Sequence, residues 1–194
     1  MKYIRVAVLF LAVTLFLCGC TDKDNWHPAG MKRVENDNVD YTLYVPEKWT
    51  VDLTTHVTSA YFPDDRSNIS LTAFSLTGDD TYISPADYWA RYVADCKTTF
   101  TDFRYLSDSE ETSAEGETAP EITDEEAAVK ITFGGMAANK YRCSMKVTGQ
   151  EYRYTVVVCI RGGYAYMLTY TALPDYYETH TEEIDNVILN FSFD

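Results

Sequence analysis

Three segments with alternating apolar residues, separated by glycine turns, constrain the fold of this 194-residue chain more than any other feature. In residues 139–148, apolar side chains alternate with Arg, Ser and Lys, and Gly149 follows. Residues 151–160 come next, and beyond two further glycines the segment 164–172 resumes the alternation. A period of two is typical of strands, and short glycine turns join antiparallel neighbours. The pattern therefore predicts an antiparallel meander, with 151–160 as its central strand because its second half is almost wholly apolar.

A helix with clear start signals is predicted to begin at Ser84. Ser84 can cap the helix, Pro85 suits the first helical position, and apolar residues recur every four positions up to Phe100. A second helix is predicted to begin at Pro174, with apolar residues at helical spacing up to Phe191. These elements predict an α+β fold in which an antiparallel β-sheet is flanked by helices. Further strands are expected at residues 41–45, 58–62, 68–76, 103–106 and 127–133.

The N-terminus has the organisation of an export signal. Two basic residues precede an apolar run over 6–17, which is too short to span a bilayer comfortably. The run ends in Leu-Cys-Gly-Cys at Cys20, which is similar to the lipobox of bacterial lipoproteins. This resemblance implies that Cys20 receives a diacylglyceryl group and that the signal, residues 1–19, is cleaved between Gly19 and Cys20. An ordinary secretory signal with a chance Gly-Cys pair is the alternative.

An acylated Cys20 would hold the chain on the outer face of the cell membrane. Two or three long acyl chains anchor a protein stably, because each buried methylene contributes about 0.8 kcal/mol. Residues 20–38 show no apolar periodicity, so we expect them to form a tether. The remaining residues, 39–194, are enough for one domain with a core of its own. The sequence therefore predicts a lipid-anchored, extracytoplasmic domain.

The chain is strongly acidic, with a formal net charge of −14 at pH 7. It has no basic stripe, so we expect neither nucleic-acid binding nor attachment through anionic lipid headgroups. Residues 107–126 are rich in Asp and Glu and predict an exposed acidic loop. A response to divalent cations is an alternative role for this loop, with carboxylates at Asp108, Glu110, Glu111, Glu115 and Glu117.

Three cysteines lie in the predicted domain, at positions 96, 143 and 159. The turn near Gly149 places Cys143 opposite about residue 155 of the next strand. Cys159 is then about 13 Å away along that strand, which is too far for a disulfide. We expect buried thiols that pack as small hydrophobic groups, and a bridge between Cys96 and Cys143 is left open.

The sequence shows no motif of a familiar catalytic chemistry. The three histidines, His27, His56 and His180, share no element, and neither HExxH nor GxSxG occurs. We therefore predict no catalytic residue, no metal ligand and no cofactor site, and we interpret His180 as a partly buried helix residue. A Ser-His-Asp triad assembled from distant positions is the alternative.

The chain holds 16 tyrosines, and many of them lie on predicted strands. Those of the meander could form a ladder across adjacent strands: Tyr152, Tyr154, Tyr164, Tyr166 and Tyr170. Packing beneath a helix is the favoured interpretation, because aromatic rings bury large areas. An exposed ladder that stacks against sugars or a peptide is the alternative.

Four motifs stand in order along residues 39–194. They are the strand and Pro-x-x-Trp at Tyr41–Trp49, the helix start at Ser84–Tyr88, the turn at Phe133–Ala137, and Tyr166–Ala172 leading through Asp175–Tyr177 to Val187–Phe193. In this order they resemble the PsbP-like superfamily, which includes the bacterial DcrB-like lipoproteins. The resemblance implies an α/β/α sandwich, an antiparallel sheet between helices, in a domain that docks onto larger assemblies. The acidic loop at 107–126 departs from the family pattern.

These features predict a membrane-anchored, extracytoplasmic lipoprotein that acts as a non-catalytic binding or assembly module for an envelope partner. The alternatives are a hydrolase of an envelope polymer, with a site that the sequence does not reveal, and a protein that responds to divalent cations through its acidic loop. No cofactor is expected, and the expected partners are the membrane, through the lipid on Cys20, and a protein of the cell envelope.

Overall fold

A computed structural model describes residues 27–36, 38–53, 57–106 and 122–194 of the chain. Two short 3₁₀ turns accompany the regular elements, at Gly78–Tyr82 and Glu178–His180. The helices are α1 (Pro85–Thr99), α2 (Pro174–Tyr177) and α3 (Thr181–Asn190). The strands are β1 (Met31–Arg33), β2 (Tyr41–Thr42), β3 (Tyr44–Pro46), β4 (Thr50–Asp52), β5 (Thr58–Tyr61), β6 (Asn68–Ser75), β7 (Thr101–Tyr105), β8 (Val129–Phe133), β9 (Met136–Val147), β10 (Gln150–Arg161), β11 (Tyr164–Ala172) and β12 (Ser192–Phe193).

The predicted meander forms the centre of an eight-stranded antiparallel sheet. Its strands follow the order β4-β5-β6-β11-β10-β9-β7, and β8 also pairs with β9. Tyr154 of β10 lies opposite Cys143 of β9, and Cys159 lies opposite Tyr166 of β11. The antiparallel sheet predicted from apolar alternation is thus confirmed.

Each face of the sheet carries its own core, because side chains along a strand alternate between faces. On β10, Val156 and Val158 pack with the residues of α1, whereas Val157 and Cys159 pack with α3 and the N-terminal strands. Helices therefore lie on both faces. The predicted α/β/α sandwich fits only in part, since one of the helical layers is shared with β1–β3.

Helix α1 begins where Ser84 and Pro85 predict. The side-chain oxygen of Ser84 accepts a hydrogen bond from the backbone N–H of Asp87, and Pro85 occupies the first helical position. Trp89, Val93 and Cys96 form the buried stripe that packs on the sheet. Among the described residues, no helix is long and apolar enough to cross a membrane.

Loss of the cap should weaken this helix measurably. Ser84→Ala leaves the Asp87 N–H without its side-chain acceptor, so we expect the free energy of unfolding to fall by about 1 kcal/mol. Ser75→Ala, at the exposed end of β6, should change it by less than about 0.5 kcal/mol. Urea denaturation of the two variants tests this, and equal effects would contradict the capping role.

The predicted final helix is not continuous. Its first turn, α2, is followed by a 3₁₀ turn before α3 begins at Thr181, and Phe191 lies beyond the end of α3. The apolar spacing that suggested one helix reflects two short helical pieces that face the same core, which includes Tyr177, Ile184 and Phe191.

The predicted tether, residues 20–38, is too long at its C-terminal end. Residues Met31–Arg33 form β1, which pairs antiparallel with β3, and the Met31 side chain is buried. Val34 is also buried, and its backbone N–H donates to the carbonyl of Leu43. The sequence analysis missed this strand because three residues show no recognisable alternation.

Candidate functional site

A pocket of about 460 Å³ lies between the edge of the sheet at β8 and β9 and helix α3. We call it the β9–α3 pocket. It opens on the sheet face that carries α3, beside the two ends of the segment between β7 and β8. Its lining comprises Leu106, Ile122, Glu126, Ala127, Val129, Lys140, Arg142, Thr155, Thr181, Ile184 and Asp185.

The strand alternation brings the cationic groups of the pocket together. Lys140 and Arg142 are two residues apart on β9, so both point to the same face. Thr155 of β10 lies directly opposite Arg142, and Val129 of β8 lies opposite Lys140. One patch of sheet thereby supplies two cations, one hydroxyl and one exposed aliphatic side chain.

Both cations are paired with carboxylates from the helical side. Lys140 Nζ lies 3.2 Å from Asp185 Oδ1, and Arg142 donates to Glu178 Oε1 over 2.7 Å. The Lys140 and Arg142 side chains are 24% and 27% exposed, whereas their partners are 54% and 53% exposed. The cation is therefore the more buried member of each pair. Ion pairs this exposed contribute little stability, about 0–1 kcal/mol.

Tyr177 belongs to the core, and its hydroxyl contacts Arg142 and Thr155 at the base of the pocket. Its hydroxyl lies 2.6 Å from Thr155 Oγ1, accepts from Arg142 Nε over 3.3 Å and donates to the Tyr154 carbonyl over 3.3 Å. Burial raises the pKa of Tyr177, although the hydrogen bonds from Thr155 and Arg142 oppose the shift. The phenol therefore stays neutral and serves as a fixed hydrogen-bonding group.

Glu126, on the rim, is held by a local turn. Its carboxylate accepts hydrogen bonds from the backbone N–H and the hydroxyl of Thr123, at 3.0 and 2.7 Å. These bonds lower the pKa of Glu126, the backbone bond contributing most. Nearby, Asp124 accepts from the buried Tyr105 hydroxyl over 2.7 Å, which fixes the segment against the sheet.

The lining residues can bind a ligand but do not form a familiar catalytic arrangement. They include neither a histidine nor a cysteine. Of the two hydroxyls, Thr155 is engaged with Tyr177, and Thr181 donates to the Tyr177 carbonyl. Thr181 also donates to Glu178 Oε2 over 3.3 Å, but this carboxylate is engaged by the Arg142 guanidinium over 2.7 Å. The pocket offers aliphatic walls and paired charges, which is the chemistry of recognition.

The buried histidine of the final segment lies outside this pocket. His180 is 4% exposed, with Nε2 at 2.9 Å from Asp65 Oδ2 and Nδ1 at 2.7 Å from Glu183 Oε2. Trp49 Nε1 also donates to Glu183, and the Phe62 ring centre is 4.7 Å from that of His180. Since carboxylates occupy both ring nitrogens, the imidazole has no nitrogen left to activate a nucleophile. His180 belongs to the 3₁₀ turn that leads directly into α3, and it is more deeply buried than the predicted partial burial.

Burial alone would raise the pKa of Asp65. Hydrogen bonds from the Ser67 backbone N–H, over 2.8 Å, and from His180 outweigh burial, so the pKa of Asp65 lies below its ordinary value. His180 thus bridges Asp65 and Glu183 through its two ring nitrogens. This cluster joins the turn after β5 to the C-terminal helical segment.

Most of the residues that the sequence analysis singled out lie elsewhere. Gly19 and Cys20, the predicted cleavage and lipidation residues, are outside the described residues, as are His56 and the acidic residues 108–117. His27 is exposed and contacts only the neighbouring Pro28 carbonyl among the described residues. The structure holds no group of three potential metal ligands within its described ranges.

The cysteines and the tyrosines of the meander are divided between the two cores. Cys96, Cys143 and Cys159 are buried free thiols, so the bridge left open between Cys96 and Cys143 is not formed. Burial raises the pKa of Cys159 to about 12, which keeps this thiol protonated and unreactive. Tyr154 packs on the α1 face, whereas Tyr166 and Tyr170 pack on the α3 face. The five tyrosines therefore do not form one ladder.

Sequence reasoning missed the β9–α3 pocket. The signal was present, because two cations at positions 140 and 142 stand on one face of a predicted strand. Their carboxylate partner Asp185 comes from α3, 45 residues beyond Lys140. Only the tertiary fold brings these groups together.

The eight-stranded antiparallel sheet, with α1 on one face and α3 on the other, has a PsbP-like fold. No family model matches the sequence, and a search of curated proteins found no match.

Three solved structures illustrate the likeness. CyanoP, the PsbP protein of the cyanobacterium Synechocystis, is 14% identical with a TM-score of 0.56, over 88% of this chain and 96% of that one. LpqN of Mycobacterium tuberculosis, described as involved in cell envelope biogenesis, is 18% identical with a TM-score of 0.52, over 84% and 89%. The Ran-binding protein Mog1p of Saccharomyces cerevisiae is 11% identical with a TM-score of 0.53, over 84% and 95%. At these identities the likeness concerns the fold.

Proposed function

We propose that this protein is a lipid-anchored, extracytoplasmic binding module of the bacterial cell envelope. Acylated Cys20 holds it on the outer face of a membrane, and the β9–α3 pocket receives its partner. The module brings partners together and does not catalyse a reaction. The fold likeness to LpqN and CyanoP is consistent with this role but concerns architecture alone.

The observation that carries the proposal is the composition of the pocket. Aliphatic side chains form its walls, including Leu106 and Ile184, while Lys140 and Arg142 stand on its floor. Binding sites typically combine apolar walls with a few placed polar groups. The one described histidine that is buried has both nitrogens on carboxylates, which favours a binding role over hydrolysis.

The anchor is tested by labelling with palmitate in the native host. We expect the wild-type chain and Cys18→Ala to incorporate label, because Cys18 leaves with the signal. Cys20→Ala should incorporate none, since the acceptor thiol is lost. The measurement is radiolabelled or alkyne-tagged palmitate followed by gel analysis. Label on Cys20→Ala, or an unmodified Cys20 thiol in mass spectra of the mature protein, would overturn the lipid anchor.

The binding site is tested by photocrosslinking in intact membranes. A photoreactive residue replaces Val129, which lines the pocket and is 54% exposed, or Tyr82, which is 93% exposed and lies outside the β9–α3 pocket. A specific adduct from position 129 and none from position 82 supports the proposal. The same adducts from both positions, or none from either, would contradict it.

A further inference from the structure

We infer that the outer edge of β8 binds an extended peptide segment of a partner protein, which adds to the sheet as one more strand. The inference rests on the binding role proposed above, because Val129 belongs both to β8 and to the lining of the β9–α3 pocket. It does not depend on the lipid anchor.

Strand β8 is the least protected edge among the strands that the structure describes. Strands β7 and β8 pair with residues 143–146 and 136–140 of β9, on the side away from β10, and β4 forms the opposite edge of the sheet. Native sheets protect their edges with very short strands or with bulges. β4 has only three residues, and the pairing of β7 shifts its register between Thr101 and Arg104. β8 instead keeps an unbroken register over five residues, so it can accept another strand.

The turn after β8 determines which of its backbone groups point outward. Residues 134–135 are two glycines with positive φ, and they join Phe133 to its partner Met136. A two-residue turn of this kind closes on a hydrogen-bonded pair, and such pairs recur at every second residue of an antiparallel ladder. The residues between these pairs are Lys130 and Thr132. Their N–H and C=O groups therefore point away from β9.

These outward groups select an extended peptide as the ligand. Lys130 and Thr132 are exposed, and their backbone groups form no hydrogen bond within the part of the chain that the structure describes. Two donors and two acceptors thus stand about 7 Å apart along the edge, which is the repeat of a β-strand. A second strand offers matching groups at this repeat, and strand addition to a sheet edge is an established mode of peptide recognition.

The side chains of β8 set the sequence of the added strand. On the α3 face, Val129 is 54% exposed and Ile131 is partly buried, so apolar residues at alternate positions of the peptide would extend this surface. On the other face, the exposed Lys130 favours an acidic residue opposite it. An edge lysine also disfavours indiscriminate pairing, because its charge must be matched. We therefore expect a segment that alternates apolar and polar residues and carries one carboxylate.

Hydrogen exchange of the purified full chain with the peptide acetyl-Val-Thr-Val-Glu-Val-Lys-amide tests the inference. Paired antiparallel to β8, this peptide places its valines on the α3 face and its Glu opposite Lys130. We expect a dissociation constant below about 1 mM, and at about 5 mM peptide the exchange of the Lys130 and Thr132 amides should slow about fivefold or more. The same peptide with N-methyl groups on its Thr and Glu should have no effect, because it lacks the donors that face β8.

Thr132→Pro removes one outward donor and leaves the bonds to β9 in place, since proline lacks only the N–H that points away from β9. This variant should bind the peptide about tenfold more weakly or worse. Thr132→Val keeps the N–H and is the matched control, which should bind like wild type. Thermal melting checks that both variants are folded.

The inference is overturned if the peptide does not bind, if its N-methylated form binds equally, or if Thr132→Pro and Thr132→Val behave alike. It is also overturned if the Lys130 and Thr132 amides are already protected in the free protein. Protection that rises with protein concentration would identify a second copy of the chain as the occupant of the edge. None of these results alters the crosslinking result at Val129, so strand addition and the binding site can fail separately.

Discussion

Replacing Gly134 with alanine should lower the free energy of unfolding by about 3 kcal/mol. Gly134 has a φ of +56° in the turn between β8 and β9, where a side chain costs about 1–2 kcal/mol. A Cβ at this position would also lie 2.7 Å from Phe193 Cδ2 and 2.9 Å from Phe191 Cε1. Phe191 cannot retreat easily, because its ring stacks on buried Phe133 with centroids 3.9 Å apart. Overpacking of this kind adds about 1–3 kcal/mol.

The neighbouring glycine separates the two causes. Gly135 also has a positive φ, of +80°, but nothing lies within 4 Å of a Cβ placed there. Gly135→Ala should therefore cost only about 1 kcal/mol, from backbone conformation alone. Urea denaturation of both variants gives the comparison. If the two variants lost equal free energy of unfolding, the contacts with Phe191 and Phe193 would not contribute to the effect of Gly134→Ala.

The sequence predicted those elements whose signals are local. Apolar alternation and glycine turns are properties of neighbouring residues, and they located β9, β10 and β11 to within a few residues. The start of α1 followed from Ser84 and Pro85, because a cap involves residues only three positions apart. The sequence did not predict β1, because three residues are too few to show a period of two. The strand forms through its pairing with β3.

Contacts between distant segments could not be predicted. The tyrosines of β10 and β11 look alike in sequence, yet the register places Tyr154 opposite Thr171 and Tyr170 opposite Thr155. Aromatic residues of neighbouring strands therefore point to opposite faces. The pocket depends in the same way on α3 meeting β9, and His180 depends on Asp65, which is 115 residues away.

Replacing Asp65 with asparagine should lower the free energy of unfolding by about 3 kcal/mol at pH 7. The side chains of Asp65 and His180 are 8% and 5% exposed, so their contact is a buried one. Hydrogen bonds to a buried charged group are worth about 1.5–3 kcal/mol each. The Asp65 carboxylate accepts two, from the Ser67 backbone N–H and from His180, which together give a range of about 3–6 kcal/mol. Glu183 still contacts the other ring nitrogen of His180, which places the expected loss at the lower end of that range.

Asp64→Asn is the control for this prediction, because Asp64 is the exposed neighbour in the same turn. It should change the free energy of unfolding by less than about 0.5 kcal/mol. Circular dichroism during urea denaturation measures both variants. If Asp64→Asn lowered the free energy of unfolding as much as Asp65→Asn, the effect would come from the turn and not from the contact with His180.

The stabilising effect of Asp65 should also depend on pH. Its pKa is lower in the folded state than in the unfolded state, so its contribution is fully present above about pH 4 and is lost as the pH falls through the folded-state value. The stability difference between wild type and Asp65→Asn should therefore shrink as the pH falls below about pH 4. A difference that stays constant down to about pH 2 would show that the carboxylate charge is not what stabilises the cluster. Because this cluster joins the turn after β5 to the segment that carries α3, its loss should loosen α3 as well, and with it the wall of the β9–α3 pocket.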